Sequence, residues 1–112
     1  MREEAGGWAY LLASKRFGTL YLGSTRNLIR RVYEHREGSL PGFTRKYGVT
    51  LLVWYEAFDS AAAYAREQQI KKWRREKKIS LIVSGNPTWD DLAAGWGQPF
   101  VVQTADSSLR SE

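Results

Sequence analysis

The sequence predicts an α+β domain with the element order β-β-α-(α)-β-α-α. Near the N-terminus, two short segments rich in aromatic and apolar residues are separated by a four-residue loop, which is typical of a β-hairpin. Two later segments place apolar residues at helical spacing, with residues that favour helix ends beside them. Between these helical segments, residues 51–58 form an apolar run that is typical of a buried strand.

The hairpin is predicted from the strands Trp8–Ser14 and Thr19–Ser24. Tyr10 and Tyr21 fall within these strands, where successive side chains point to opposite faces of the sheet. Two tyrosines on neighbouring strands can therefore lie close together.

The first helix is predicted from about Arg26 to Glu37, with Gly38 ending it and Ser24 or Thr25 capping its start. Within it, one arginine and one histidine lie four residues apart. This spacing places Arg31 and His35 on one side of the helix, at the border of the apolar face that packs on the sheet.

The second half of the chain predicts one strand between helical segments. Residues 42–47, after a proline, are typical of a short helix or turn, and Leu51–Phe58 is the third strand. A long helix is predicted from Asp59-Ser60 through about Arg74, and a short helix follows near Glu76–Ser84.

The length of 112 residues suits one domain, which we place at residues 7–92, with residues 93–112 as a loosely ordered extension. The chain has no Cys, which excludes disulfides, thiolate metal sites and cysteine catalysis. The sequence has neither an apolar run long enough to span a membrane nor a signal peptide. We therefore expect a cytoplasmic protein that does not bind membranes, and we favour a monomer.

The net charge of +5 and the pI near 9.7 favour a polyanionic partner. Basic domains bind nucleic acids through phosphate contacts and counterion release. The cation-rich segment 66–78 is either a solvated helical face or a stripe that follows phosphates. The cations that we predict to contact nucleic acid are Arg30, Lys46, Lys71, Lys72, Arg74 and Arg75.

Glu67 shares the inward stripe of the long predicted helix with Ala63 and Ile70. A carboxylate is costly to bury without a cation or hydrogen-bond partner. Glu67 is therefore either an edge residue paired with a neighbouring Lys or Arg, or a ligand for Mg²⁺, which accepts one carboxylate together with waters and phosphate oxygens.

Each remaining candidate residue has both a structural and a functional interpretation. Arg31 is either a surface cation or a guanidinium that binds phosphate through two N–H groups. His35, the only histidine, is either a half-buried ring or a proton shuttle. Tyr10 and Tyr21 are ordinary strand residues, or a general base and a water-orienting group. Asn86, which precedes a proline, is by itself a normal turn residue.

Five blocks of sequence in order resemble the GIY-YIG nuclease family, and in particular its small, single-domain bacterial branch. Residues 8–10 (WAY) and 21–23 (YLG), with ten residues between them, resemble the paired motif that names the family. The resemblance extends from about residue 7 to residue 92. The other four are 24–31 (STRNLIRR), 42–48 (GFTRKYG), 65–73 (AREQQIKKW) and 86–89 (NPTW).

The resemblance implies a three-stranded antiparallel β-sheet flanked by helices, and hydrolysis of nucleic acid by a water aligned on one Mg²⁺ or Mn²⁺ ion. It assigns a role to each candidate residue by its position in the motifs. These roles are base or water-orienting group for Tyr10 and Tyr21, phosphate contact for Arg31, proton transfer for His35, metal ligand for Glu67, and a place near the site for Asn86.

Two departures from the family pattern stand beside the match. Trp8 and Ala9 replace the family's Gly and Ile, and Ser24 stands where excision-repair relatives carry a lysine.

We expect an endonuclease that acts on DNA rather than RNA, in repair or recombination, with a targeting protein as a possible partner. The alternatives are a nucleic-acid-binding module with weak or no catalysis, and a structural protein whose basic face docks an acidic partner.

Overall fold

The computed structural model describes residues 6–38 and 42–96. The predicted α+β class and element order are confirmed, and the segment after the first helix forms a short helix. In chain order, the elements are β1 (Gly7–Ala13), β2 (Leu20–Thr25), α1 (Leu28–Glu37), α2 (Phe43–Tyr47), β3 (Leu51–Phe58), α3 (Ser60–Lys71) and α4 (Arg75–Gly85).

The three strands form one antiparallel sheet in the order β2-β1-β3, so β1 is the central strand and β2 lies at an edge. Tyr10 on β1 pairs with Gly23 on β2 and with Tyr55 on β3. Because β1 has a strand on each side, its residues from Ala9 to Ala13 are fully buried. The antiparallel sheet flanked by helices that the family resemblance implies is confirmed.

Apolar side chains cover both faces of the sheet. On one face, which we call the α1 face, Tyr10 packs with Leu28 and Val32 of α1. On the other, the α4 face, Leu11 packs with Ile82 of α4. This division follows from the alternation of side chains along β1.

Helix α1 begins two residues later than the sequence predicts. Thr25 still pairs with Trp8 in the sheet, so strand geometry extends through the residues that we expected to cap the helix. Asn27 is the cap instead, since its side chain accepts a hydrogen bond from the backbone N–H of Arg30 at 3.1 Å.

The predicted long helix ends early, because the chain breaks between α3 and α4. Arg74 has an extended backbone, with φ −67° and ψ 159°, and α4 starts directly after it. Lys72 caps α3 with its backbone N–H bound to the carbonyls of Gln69 and Ile70. None of the helices in residues 6–38 and 42–96 is long and apolar enough to cross a membrane.

Residues 91–96, which follow the turn after α4, pack on the α1 face. Asp91, the first of them, pairs with Arg36 of α1. Ala93 is fully buried, and Trp96 lies against the same apolar cluster. The domain boundary that we predicted after residue 92 falls within this packed segment. Residues 97–112 lie outside the described residues, so the division into domain and extension stays a prediction.

Candidate active site

Three aromatic side chains, Tyr10, Tyr21 and His35, meet on the α1 face at the edge of the sheet. The ring centroid of His35 lies 5.1 Å from that of Tyr21 and 6.0 Å from that of Tyr10. The two tyrosine centroids are 6.3 Å apart. The hairpin thus brings the tyrosines of the two tripeptide motifs together, and α1 adds the histidine.

Gly23 explains how Tyr10 can approach the edge strand. A Cβ atom at this position would lie 2.6 Å from the Tyr10 hydroxyl and 2.7 Å from Cζ, which is closer than real contacts allow. The ring of Tyr10 therefore occupies the space that a side chain on its register partner would fill. The glycine of the second motif is needed because of this close approach.

A chain of hydrogen bonds runs from Tyr10 through His35 to Thr44. The Tyr10 hydroxyl lies 3.1 Å from His35 Nε2, and His35 Nδ1 lies 2.9 Å from Thr44 Oγ1. Arg31 lies near the Tyr10 hydroxyl, and a guanidinium can only donate to that oxygen. We assign the Tyr10 hydroxyl as the donor to Nε2, and Nδ1–H as the donor to Thr44.

Burial controls the protonation of this chain. It lowers the pKa of His35 to about 4, with Arg31 acting in the same direction and Glu34 opposing both. It also raises the pKa of Tyr10 well above its usual value, and the neighbouring Tyr21 adds to that rise. At neutral pH the histidine is therefore neutral and the Tyr10 phenol keeps its proton, as the assigned hydrogen bonds require.

Arg31 lies at the mouth of the site, where its side chain is 37% exposed. Its Nε atom lies 3.2 Å from a carboxylate oxygen of Glu34, one turn along α1. The pair lines a pocket of about 370 Å³ together with residues 25–27 and Arg30. The guanidinium thus connects the buried Tyr10 hydroxyl to an open, basic surface.

Glu67 approaches the same edge of the sheet from α3, which packs across β1 and β2. Its Oε1 accepts a hydrogen bond of 2.6 Å from the Ser24 hydroxyl. This carboxylate is half-buried, and it is close enough to Tyr10 to raise the pKa of that phenol. Its hydrogen-bond partner is a hydroxyl, whereas an edge residue in an ion pair was expected to contact a neighbouring Lys or Arg.

The residues around Glu67 fit an ion that needs little protein ligation. Among the described residues, no group of three or more His, Asp or Glu side chains could hold a metal. Mg²⁺ does not require such a group, because it keeps several waters and binds through one or two carboxylates plus substrate phosphates. Glu67, hydrogen-bonded to a neutral hydroxyl, provides one such carboxylate.

Asn86 does not lie with these residues. It follows α4, which packs on the α4 face, and its side chain is buried among backbone groups. Its Nδ2 donates to the carbonyls of Val53 and Asp90, and its Oδ1 accepts from the Asp90 N–H. These contacts hold the turn after α4. The catalytic assignment of Asn86 is untested, but its observed contacts are those of a structural residue.

The cations predicted to bind nucleic acid lie in different parts of the surface. Arg30 is exposed beside Arg31 on α1, and Lys46 lies over the ring of Tyr47. Arg75 is engaged structurally, since its Nη2 donates to two carbonyls of the β1–β2 loop at 2.7 and 2.8 Å. The remaining three, Lys71, Lys72 and Arg74, are exposed around the break between α3 and α4.

Three residues that shape the site were not predicted from the sequence to do so. Ser24 was considered as a helix cap and as a missing lysine, yet its hydroxyl holds Glu67. Thr44 and Gly23 were quoted within motif blocks but were given no function, although each fixes a side chain of the aromatic group. The signal was available for Gly23, because a strand glycine opposite a tyrosine indicates close approach.

Comparisons with known proteins identify a family whose match includes most of these site residues. The GIY-YIG catalytic domain family matches residues 6–80. A UPF0213 protein of Haloquadratum walsbyi is 43% identical over 68 residues, which cover 60% of this chain and 76% of that protein. A UPF0213 protein of Clostridium perfringens is 38% identical over 78 residues, covering 69% of this chain and 83% of the relative.

Among solved structures, the solution NMR structure of a UPF0213 protein from Bacillus halodurans is similar to this chain. The identity is 28% and the TM-score 0.47, with 81% of this chain and 98% of that chain covered. The family match spans well over half of the sequence and includes the tyrosines, the arginine, the histidine and the glutamate of the site. The chain belongs to the GIY-YIG family and, within it, to the small UPF0213 proteins of bacteria and archaea.

Proposed function

We propose that this protein is a metal-dependent endonuclease that hydrolyses phosphodiester bonds of nucleic acid, with DNA as the preferred substrate. The observation that carries the proposal is the meeting of an arginine, a carboxylate and a buried tyrosine–histidine pair at one edge of the sheet. Phosphodiester hydrolysis needs charge stabilisation at phosphorus and a proton acceptor for water. These residues supply both functions.

Arg31 is the group that binds the phosphate to be cleaved. Its guanidinium is half-exposed and lies between Glu34 and the Tyr10 hydroxyl. A phosphate entering the pocket would compete with the Glu34 carboxylate for the guanidinium and replace a monodentate ion pair with a forked one. The Arg30 cation on the same helix adds to the positive potential at this entrance.

Tyr21 is the tyrosine better placed to take a proton from water. Tyr10 is fully buried, and its proton is committed to His35 Nε2. A phenolate at Tyr10 is disfavoured by burial and by the neighbouring Tyr21. Tyr21 is partly exposed on the edge strand, so a water can reach it. We therefore assign the base to the phenolate of Tyr21, which forms when the phenol loses its proton to solvent and which then accepts one proton from the attacking water. Tyr10 has a supporting role.

His35 holds Tyr10 in place. In the assigned tautomer, the neutral imidazole accepts a hydrogen bond from the phenol and donates one to Thr44. The pair thus keeps the Tyr10 hydroxyl in one orientation beside Tyr21 and Arg31.

Glu67 would hold the divalent ion, Mg²⁺ or Mn²⁺, with Ser24 fixing the carboxylate through its hydroxyl. When bound, such an ion supplies Lewis-acid stabilisation of charge on the phosphate oxygens. The chain contributes the carboxylate, its orientation and its position near Tyr10. The feature that supports this assignment is a half-buried carboxylate that has no cationic partner within residues 6–38 and 42–96.

The proposal is tested by incubating the purified protein with single-stranded, duplex, nicked and flapped DNA and with single-stranded RNA, each with Mg²⁺, Mn²⁺ or EDTA. We expect metal-dependent cleavage of at least one DNA substrate and loss of cleavage in EDTA. Salt-sensitive binding without cleavage in any metal would instead identify a binding module. Absence of binding at low salt would overturn both and would favour a protein partner for the basic surface.

A further inference from the structure

A pocket of about 300 Å³ lies at the start of α1. Three of its lining residues are aromatic and come from β1, β3 and the segment after α4. One is an arginine, which lies at the rim. The lining residues are Trp8, Arg26, Asn27, Leu28, Ile29, Tyr55 and Trp96.

The three aromatic rings are held in a fixed arrangement. Trp8 and Tyr55 meet edge to face with centroids 5.8 Å apart, and Tyr55 and Trp96 are 6.3 Å apart. Trp8 and Trp96 pack against the apolar cluster of the α1 face, whereas Tyr55 is 39% exposed. The pocket is therefore a preformed aromatic surface that opens to solvent.

Arg26 connects this pocket to the candidate active site. It lines the aromatic pocket, the pocket that contains Arg31, and a third pocket of about 200 Å³ that contains Ser24. The Ser24 hydroxyl is the hydrogen-bond partner of Glu67. A strand held by its phosphate at Arg31 would thus pass Arg26 and bring a neighbouring nucleotide to the aromatic rings.

We infer that the aromatic pocket binds an unpaired nucleobase next to the phosphate at Arg31, with Arg26 contacting the strand between them. Aromatic rings stack on the faces of bases, and such platforms beside a basic groove bind single-stranded nucleic acid with little dependence on sequence. A base inside a duplex has both faces covered by its neighbours, so it cannot enter. The inference rests on the proposed function for the position of the strand.

Binding in the absence of metal tests the inference without turnover. Fluorescence anisotropy would compare a labelled single strand with a duplex of the same sequence, both in EDTA. We expect Tyr55→Leu and Trp96→Leu to weaken binding of the single strand on the order of ten-fold, and to leave duplex binding unchanged. Tyr47→Leu, which removes an exposed tyrosine from α2, is the matched control and should bind both as the wild type does.

A second arm removes the base instead of the ring. The wild-type protein is tested with single strands just long enough to span Arg31 and the pocket, so that they bind in one register. A strand with one abasic position should bind about as well as the intact strand, except when that position enters the pocket, where affinity should fall by a similar factor. Tyr55→Leu should abolish this position dependence. Circular dichroism of each variant checks that the fold is retained.

The inference is overturned if the two variants weaken single strand and duplex equally, or if neither variant changes single-strand binding. A flat abasic profile would also overturn it. These outcomes are distinct from failure of the proposed function. If the protein prefers single strands but shows no metal-dependent cleavage, the proposed nuclease activity is wrong and the pocket assignment stands. If the protein cleaves DNA but the abasic profile is flat, the pocket assignment is wrong and the nuclease activity stands.

Discussion

Thr44 is the residue whose contribution is easiest to isolate, because its hydroxyl lies at the end of the hydrogen-bond chain, 2.9 Å from His35 Nδ1. Thr44→Val keeps the shape but leaves the buried Nδ1–H without its acceptor. We expect the free energy of unfolding to fall by about 1–3 kcal/mol. We also expect cleavage to fall about ten-fold, because the imidazole can then adopt the other tautomer and lose the hydrogen bond from Tyr10.

Two measurements separate this positioning role from a general loss of stability. The ¹⁵N chemical shifts of the His35 ring report the tautomer directly, and they should change in Thr44→Val but not in Thr44→Ser. The serine variant should also recover cleavage. Unchanged ring shifts in the valine variant would contradict the assigned direction of the hydrogen bonds.

At the residue scale, the sequence predicted which side chains belong to the site better than it predicted the contacts that hold them. Tyr10, Tyr21 and His35 were singled out from spacing and motif, and the structure brings them together. Thr44 was not singled out, because its contact with His35 depends on how α2 folds back onto α1. Asn86 was placed near the site by resemblance alone, and its hydrogen bonds hold a turn elsewhere.

At the scale of elements, the packing of β1 against β2 depends on a single glycine. Gly23→Ala adds a methyl group 2.6 Å from the Tyr10 hydroxyl, so either the buried ring or the edge strand must move. We expect a loss of about 1–3 kcal/mol in the free energy of unfolding, and loss of cleavage because Tyr10 no longer reaches His35. Denaturant unfolding and cleavage assays measure the two effects.

Gly85 provides the matched control for that substitution. It is the last residue of α4, and a Cβ there would meet no atom within 4 Å among the described residues. Gly85→Ala should therefore leave cleavage unchanged and leave stability equal or higher by about 0.5–1 kcal/mol. Equal destabilisation by the two substitutions would contradict the special role of Gly23.

Element boundaries could be predicted only where the local sequence marks them. The third strand was predicted with its observed bounds, because an apolar run that only Glu56 interrupts is bounded by polar residues. The end of α3 was predicted at about Arg74 instead of Lys71, because no Gly or Pro marks the end of this helix. The start of the next helix was predicted near Glu76, within one residue of the observed start at Arg75. The late start of α1 has a tertiary cause, since pairing with β1 keeps Thr25 in the strand.

For the whole molecule, the buried histidine makes stability depend on pH. His35 has a pKa of about 4 in the folded protein, below the ordinary value near 6.5, so the unfolded chain binds the proton more readily. Stability is therefore fully present above about pH 6.5 and is lost as the pH falls toward 4. The shift corresponds to a loss on the order of 3 kcal/mol.

Denaturant unfolding at a series of pH values measures this dependence. His35 is the only histidine, so the decline between about pH 6.5 and 5, above the range where most carboxylates titrate, is assigned to it. His35→Gln should flatten the curve in that window. A wild-type curve without a slope there would contradict the neutral, buried imidazole.

The proposed nuclease activity depends most on Glu67, and the cleavage rate of a Glu67→Gln variant tests that activity most directly. Glutamine retains the size and the hydrogen bond to Ser24 but removes the charge that would hold the divalent ion. Under single-turnover conditions with Mg²⁺ or Mn²⁺, we expect the cleavage rate of the Glu67→Gln variant to be at least about 100-fold lower than that of the wild type. Glu76 is an exposed glutamate in the first turn of α4, and the control variant Glu76→Gln should cleave at the wild-type rate. Equal rates in the wild type and the Glu67→Gln variant would contradict the proposed metal site.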